Sequence, residues 1–173
     1  MSRELLLLRH AKSDWNAGVA SDFERPLAKR GKRDAPRVGA WLYREGLVPD
    51  VIFSSPAARA RATAIKVCRR LDCDKQRIVW DPALYEADVA TLLAALRRCP
   101  QHANTVLMVG HNPGFENLIG YLTDGEFDPP EDGKLLPTAA TARLEMPEDW
   151  SRLEAGCAVL LSVTRPRDLP PRR

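Results

Sequence analysis

The chain has 173 residues, 45% of them hydrophobic, a size that suits one compact domain better than two. A net charge of +3 is too small to require a nucleic-acid partner, and the apolar run at residues 5–8 is too short to span a membrane. We therefore expect a single domain over residues 1–173, with no nucleic-acid or membrane partner. Its Pro- and Arg-rich end, from about 166 to 173, is expected to form a flexible tail.

The first predicted elements are a buried strand and an amphipathic helix. The run at residues 4–8 is typical of a strand covered on both faces. Helical spacing of the apolar residues from Val38 to Leu42 predicts a helix. Pro36 leaves two possibilities open, because the helix either begins near Asp34 or begins earlier and is kinked.

Strands and helices continue to alternate after this point. Ser55 is placed to cap a helix that has Pro56 at its first position, and Asp88 is placed to cap another. The further predicted strands lie at 51–53, 78–80, 105–109, 138–146 and 158–164, and the further helices at 57–71, 88–97 and 115–122. The alternation predicts an α/β fold, a three-layer sandwich with a mostly parallel central sheet and helices on both faces.

The four cysteines show no metal-binding pattern. They form no CxxC pair and have no histidine at ligand spacing. We therefore expect reduced thiols, no bound metal and a cytoplasmic location.

Two of the three histidines follow predicted central strands. His10 comes directly after the first strand, and His111 comes after the strand at 105–109. Ligands of open α/β sheets bind at the carboxyl ends of the strands. Arg9 ends the first strand, and Arg59 lies one turn into a helix with its side chain directed back towards the helix start. The sequence therefore predicts that these four side chains meet in one pocket.

Such a pocket is suited to a phosphoryl group. Guanidinium groups pair with phosphate oxygens, and a helix N-terminus adds backbone donors. Neighbouring positive charge is expected to lower the pKa of His10 and to leave a ring nitrogen free as a nucleophile. Covalent catalysis through phospho-His10, with the arginines and His111 stabilising the equatorial oxygens, needs no metal or other cofactor.

Several motifs, in order, resemble those of the histidine phosphatase superfamily, also called phosphoglycerate mutase-like. The family signature, Arg-His-Gly followed by a spaced Ser and Asn, corresponds to residues 9–16. Ala11 departs from it, since the wider family usually has Gly there. The other matching segments are 25–31, 55–63, 84–87 and 110–113. The short chain and the wording Arg-His-Ala-Lys-Ser-Asp-Trp are most similar to the SixA-type phosphohistidine phosphatase branch.

The resemblance implies a role for each motif residue. His10 would accept the phosphoryl group, Arg9 and Arg59 would hold its oxygens, and His111 would stabilise it during transfer. Glu86 is the candidate general acid, with an ordinary surface carboxylate as the alternative. The residues expected to bind substrate are Ser13, Asn16, Arg25 and Asn112. The other carboxylates considered for acid catalysis are Asp14 and Asp22.

The predicted function is a metal-independent phosphatase that hydrolyses phosphohistidine on a protein of the histidine phosphotransfer domain type. Only residues 14–25 and 123–137 are placed to cover the site, and an open site suits a histidine on a protein surface. One alternative is a phosphatase for small phosphate esters such as sugar or nucleotide phosphates. Another is a non-catalytic phosphohistidine-binding module. A mutase is disfavoured, because it would need an enclosed site that excludes water.

Overall fold

The computed structural model describes residues 2–171. Within this range, six strands form one sheet and four helices cover it. The strands are β1 (Arg3–Arg9), β2 (Val51–Ser54), β3 (Ile78–Trp80), β4 (Thr105–Gly110), β5 (Thr141–Met146) and β6 (Val159–Thr164). The helices are α1 (Lys29–Arg44), α2 (Ala58–Arg70), α3 (Val89–Arg97) and α4 (Gly114–Thr123).

The sheet has the strand order β3-β2-β4-β1-β5-β6. Strands β1, β2, β3 and β4 pair in parallel, whereas β5 runs antiparallel to both of its neighbours. The predicted, mostly parallel sheet is therefore confirmed. Because β1, β2 and β4 are adjacent and parallel, their carboxyl ends lie side by side at one edge of the sheet.

The four leucines of β1 divide the core between the two faces of the sheet. All four are fully buried. Leu6 and Leu8 belong to the cluster that includes α1 and α2, and Leu5 and Leu7 belong to the cluster that includes α3 and α4. Alternation of side chains along a strand produces this division, and each buried leucine contributes roughly 1.5–3 kcal/mol. The predicted three-layer arrangement, typical of phosphoglycerate mutase-like proteins, is confirmed.

The starts of two helices resolve or correct the predictions. Helix α1 begins at Lys29, so the earlier start is the correct alternative and Pro36 lies inside the helix. Ser55 does not cap α2: that helix begins after Ala57, which has no side-chain cap, and the Ser55 hydroxyl accepts a hydrogen bond from the Ala57 N–H instead. The hydroxyl lies too early in the chain to reach the first turn.

Much of the predicted flexible tail packs against the domain. Pro166–Asp168 forms a single 3-10 turn, and Leu169 is buried. Arg37 of α1 donates hydrogen bonds to the carbonyls of Leu169 and Pro170, at 3.3 and 3.5 Å. These contacts join the tail to α1 as far as Pro170, its flexibility stays a prediction, and residues 172–173 lie outside the described residues.

Two further predictions concern membrane-spanning segments and thiols. None of the helices within residues 2–171 has the length and apolar character needed to cross a membrane. All four cysteines carry free thiols.

Candidate active site

A cavity of about 610 Å³ lies at the sheet edge where β1, β2 and β4 end. The predicted site residues that line it are Arg9, His10, Ser13, Arg25, Arg59, Glu86, His111 and Asn112. Asn16 does not line it: this residue is exposed, and its backbone N–H donates to the Asp14 carboxylate in a local turn. Asn16 is therefore not among the residues that line the cavity, and its role in substrate binding stays a prediction.

The imidazole of His10 has one free ring nitrogen. Its Nδ1 lies 2.8 Å from the carbonyl oxygen of Ala11, which only accepts hydrogen bonds, so Nδ1 carries the proton. Nε2 is then unprotonated, and it has no hydrogen-bond partner within residues 2–171. Burial lowers the pKa of His10 to about 3, and the nearby charges of His111, Arg59 and Arg9 act in the same direction. Burial, rather than the like charge predicted from sequence, is the main cause.

His111 is the second histidine of the cavity, with its ring centroid 5.3 Å from that of His10. Its Nε2 lies 2.8 Å from the hydroxyl of Ser55, which already accepts a hydrogen bond from the Ala57 N–H. A hydroxyl has one proton and two lone pairs, so Ser55 can donate to His111 Nε2 or accept from it, and either ring nitrogen can carry the proton. Burial, and next the charge of Arg59, lower the pKa of His111 to about 4. Both histidines are therefore neutral at pH 7.

The carboxylate of Asp22 connects the cationic side chains of the cavity. Its Oδ2 accepts hydrogen bonds from Arg59 at 2.9 Å and from the Tyr85 hydroxyl at 2.7 Å, and its backbone carbonyl accepts a second one from Arg59 at 2.7 Å. Its Oδ1 accepts from Arg25 at 2.9 and 3.2 Å. Donation by Tyr85, Arg25 and Arg59 holds the pKa of Asp22 well below its usual range. Asp22 is therefore ionised and unsuited to act as a general acid.

The arginines keep donors available for an anion. A guanidinium has five N–H groups, and Arg59 uses two of them on Asp22. The Nε atoms of Arg59 and Arg9 are buried and have no acceptor within the described chain. A phosphoryl group would supply acceptors to these side chains.

Arg25 is held by three neighbours. Its Nη1 donates to the Ser13 hydroxyl, and its guanidinium also lies 3.6 Å from the centroid of the Trp15 ring. Together with the pair to Asp22, these contacts fix the guanidinium at the mouth of the cavity. Trp15 itself is 71% exposed.

Two loops complete the cavity wall. Glu86 is exposed, has the left-handed φ of 54°, and makes no side-chain hydrogen bond or ion pair within residues 2–171. Its loop approaches α4 closely, because a Cβ added to Gly114 would lie only 2.4 Å from the carbonyl oxygen of Ala87. Asn112 donates from Nδ2 to the Leu136 carbonyl at 2.8 Å, and its Oδ1 is buried without a partner in the described chain.

Sequence reasoning missed the roles of three residues. Asp22 was considered only as an acid, Ser55 only as a helix cap, and Tyr85 not at all. The spacing of Asp22 and Arg25, three residues apart, is a usable signal for their ion pair. Nothing in the sequence brings Asp22 to Arg59, which lies 37 residues further along. Within the part of the chain described, no cluster of His, Cys, Asp and Glu is arranged to hold a metal ion.

Comparisons with known proteins agree with this geometry. Residues 5–93 match the family model of the histidine phosphatase superfamily, branch 1. An uncharacterized protein of Mycobacterium tuberculosis is 33% identical over 165 residues, which cover 92% of this chain and all of the relative.

Two solved structures are similar over nearly the whole chain. The first, described as the putative phosphohistidine phosphatase SixA from Nakamurella multipartitia, has a TM-score of 0.83 and 27% identity, covering 96% of this chain and 97% of that one. The second, with the same description and from Agrobacterium tumefaciens, has a TM-score of 0.76 and 28% identity, covering 95% and 99%. The chain therefore belongs to the histidine phosphatase superfamily, in its SixA-type branch, and is a phosphatase.

Proposed function

We propose that this phosphatase hydrolyses phosphohistidine on a protein through a covalent intermediate on His10. The observation that carries the proposal is the unprotonated Nε2 of His10, held in a cavity that the side chains of Arg9 and Arg59 also line. A neutral imidazole with a fixed tautomer is a competent nucleophile at pH 7. Arg9, Arg59 and His111 supply the donors that a phosphoryl group requires.

In the first step, the lone pair of His10 Nε2 attacks the phosphorus atom. The bond between phosphorus and the substrate nitrogen breaks, and its electron pair stays on that nitrogen. Arg9, Arg59 and, in its Nδ1-protonated tautomer, His111 donate to the equatorial oxygens, which carry the charge of the transition state. A substrate imidazole that is protonated on its other nitrogen leaves as a neutral ring, so little help from an acid is needed.

In the second step, water attacks the phosphorus of phospho-His10. The phosphorus–nitrogen bond breaks, Nε2 recovers its lone pair, and inorganic phosphate leaves with the oxygen of the water. One proton of the water stays on the phosphate. Glu86, which lines the same cavity and has no competing partner in the described chain, accepts the other.

Two observations support a protein as the substrate. The two similar solved structures are both described as putative phosphohistidine phosphatases. In addition, the exposed ring of Trp15 stands at the mouth of the cavity, where a protein surface would meet it. A histidine phosphotransfer domain is the proposed type of partner, and a cytoplasmic location stays a prediction.

Glu86 favours a second candidate function. In its protonated form, the Glu86 carboxyl group beside the phosphoryl site could protonate the departing alkoxide oxygen, which is a poorer leaving group than an imidazole. Small phosphate esters are therefore the alternative substrates, with the same nucleophile and the same arginines.

The test measures phosphate release without added metal from a phosphohistidine-bearing phosphotransfer domain and from a panel of small phosphate esters. We expect the domain to be the preferred substrate. We also expect His10→Ala to lower kcat/KM by at least about 10⁴-fold. His102→Ala, a histidine at an exposed position outside the cavity, is the matched control and should retain activity.

Three other results of this test would each favour a different function or mechanism. Faster turnover of one small ester would indicate that the protein is a phosphatase for a small metabolite and not for a phosphoprotein. Undiminished release by His10→Ala would exclude the covalent intermediate on this residue. Absence of release from every substrate would favour a phosphohistidine-binding module.

A further inference from the structure

A second groove, of about 320 Å³, lies beside the catalytic cavity. Thr138 lines both, so the groove begins where the cavity ends. The charged residues of this basic groove are Arg30, Arg33, Asp34, Arg37, Asp132, Lys134, Arg165 and Arg167. Six of them are cationic and two acidic, so cations exceed carboxylates by four. That excess exceeds the +3 of the entire chain.

Both carboxylates of the basic groove are already neutralised by arginine. Asp34 lies 3.2 Å from Arg33 and 3.3 Å from Arg37. Arg165 donates hydrogen bonds to both carboxylate oxygens of Asp132, at 2.5 and 3.0 Å. This pairing holds the pKa of Asp132 well below its usual range. The two carboxylates therefore form ion pairs within the groove and contribute little negative potential that would repel an anionic ligand.

Three cations of the basic groove are weakly engaged. Arg30 contacts only the Thr138 hydroxyl, at 3.5 Å, and the ammonium of Lys134 has no ion pair within residues 2–171. The side chain of Arg167 is 71% exposed and lies 4.0 Å from Asp132. Pairs at this distance and exposure are worth little, so these charges remain available to a partner.

The basic groove is longer than a single phosphate. Arg30 and Arg37 lie two turns apart on α1, which corresponds to about 10 Å along the helix axis. The cations that do not lie on α1 come from two other segments of the chain, around residues 134 and 165. A flat, extended anionic surface matches this spread of charge better than one phosphoryl group does.

We propose that the basic groove docks an acidic face of the protein whose phosphohistidine is hydrolysed at His10. This inference rests on the proposed function and names the chemistry of its partner. Because the groove and the cavity meet at Thr138, a protein held in the groove presents its neighbouring surface to the nucleophile. Complementary charge of this kind speeds association and selects partners, and salt weakens it.

The test compares two variants that lose the same charge. The groove variant is Arg30→Gln with Lys134→Gln and Arg167→Gln. The control variant is Lys66→Gln with Arg69→Gln and Lys75→Gln, whose positions line neither the groove nor the cavity. The substrates are an acidic histidine phosphotransfer domain, phosphorylated on its histidine, and free phosphohistidine.

We expect the groove variant to raise KM for the domain about tenfold, with kcat within about twofold, and to flatten the salt dependence of kcat/KM. Its kinetics on free phosphohistidine should match those of the wild type. The control variant should behave like the wild type on both substrates.

Four results would overturn the proposal. A groove variant that matches wild type on the domain would remove the docking role and leave the proposed function intact. Equal losses on both substrates would indicate a general electrostatic effect on the cavity. A comparable loss on a small bisphosphate ester would make the groove a second phosphate subsite. Wild type that hydrolyses small esters but not the phosphodomain would overturn the proposed function, and the docking role with it.

Discussion

The floor and the rim of the catalytic cavity are built in different ways. The floor, Arg9, His10 and His111, stands at the ends of β1 and β4, and its two histidines are only 6% and 9% exposed. The rim, Asp22 and Glu86, belongs to loops and is exposed. Backbone pairing places the floor, whereas side-chain contacts between distant segments assemble the rim. We therefore expect residues of the floor to perform the catalytic steps and to lower the stability of the fold. Residues of the rim should change the reaction rate by smaller factors.

The register of two strands explains the rigidity of the floor. Arg9 pairs with Gly110 in the parallel ladder, and the His10 N–H donates to the Gly110 carbonyl at 2.9 Å. The residues that follow the two strands are thus adjacent whatever the loops do. In the rim, by contrast, the contact of Asp22 with Arg59 depends on how a loop folds over α2.

The largest expected effect concerns the two histidines of the floor: the free energy of unfolding should decrease as the pH falls. The folded protein holds His10 and His111 neutral, with pKa values of about 3 and 4, whereas the unfolded chain protonates them below about pH 6.5. The unfolded state therefore binds more protons as the pH falls. Each histidine should cost about 2 kcal/mol of unfolding free energy between pH 7 and pH 5.

Urea unfolding at pH 7 and pH 5 measures this cost. His111→Asn should remove about half of the pH dependence, and His102→Asn, at an exposed position, should leave it unchanged. Carboxylates held at low pKa lose their contribution only at more acidic pH, so they do not interfere. An equal pH dependence in wild type and His111→Asn would show that the floor does not bear this cost.

An intermediate effect is expected when the rim loses the charge of Asp22. Asp22→Asn keeps the shape but removes the ionised acceptor of Arg25, Arg59 and Tyr85. We expect kcat/KM for the phosphodomain to fall about tenfold, since a charge-assisted hydrogen bond contributes roughly 1.5–3 kcal/mol. Glu24→Gln, an exposed acid of the same turn, is the control.

An increase in activity or in phosphate affinity on substitution would contradict this role of Asp22. If Asp22→Asn raised kcat/KM, or bound inorganic phosphate more tightly than wild type, the carboxylate would compete with the phosphoryl group for Arg59. Asp22 would then occupy the phosphate-binding position of Arg59 in the absence of substrate, and would not serve to position that arginine for catalysis.

The smallest effect on phosphohistidine is expected at Glu86. Glu86→Gln should lower kcat/KM for free phosphohistidine by about threefold or less, and for alkyl phosphate esters by about tenfold or more. The difference follows from the leaving groups, because an alkoxide needs a proton and a protonated imidazole does not. Steady-state kinetics over a series of esters with leaving groups of graded pKa measures it. Equal losses on all substrates would remove the assignment of Glu86 as an acid.

The floor of the site was predictable because its signals are local. An apolar run that ends in Arg9 and His10 places both at the carboxyl end of a buried strand, and the same reasoning applies to His111. Asn16 shows where local reasoning fails. It belongs to the same motif as His10, yet it is exposed and does not line the cavity.

The sequence by itself determined the fold class, the family and the four side chains that meet at the sheet edge. Periodicity and the ends of strands follow from backbone geometry, which a local pattern reports. The tertiary structure alone decided the burial of both histidines, the contacts of Asp22 with Arg59 and Tyr85, and the basic groove. Each of these depends on contacts between segments far apart in the chain, and such contacts exist only after the layers have packed.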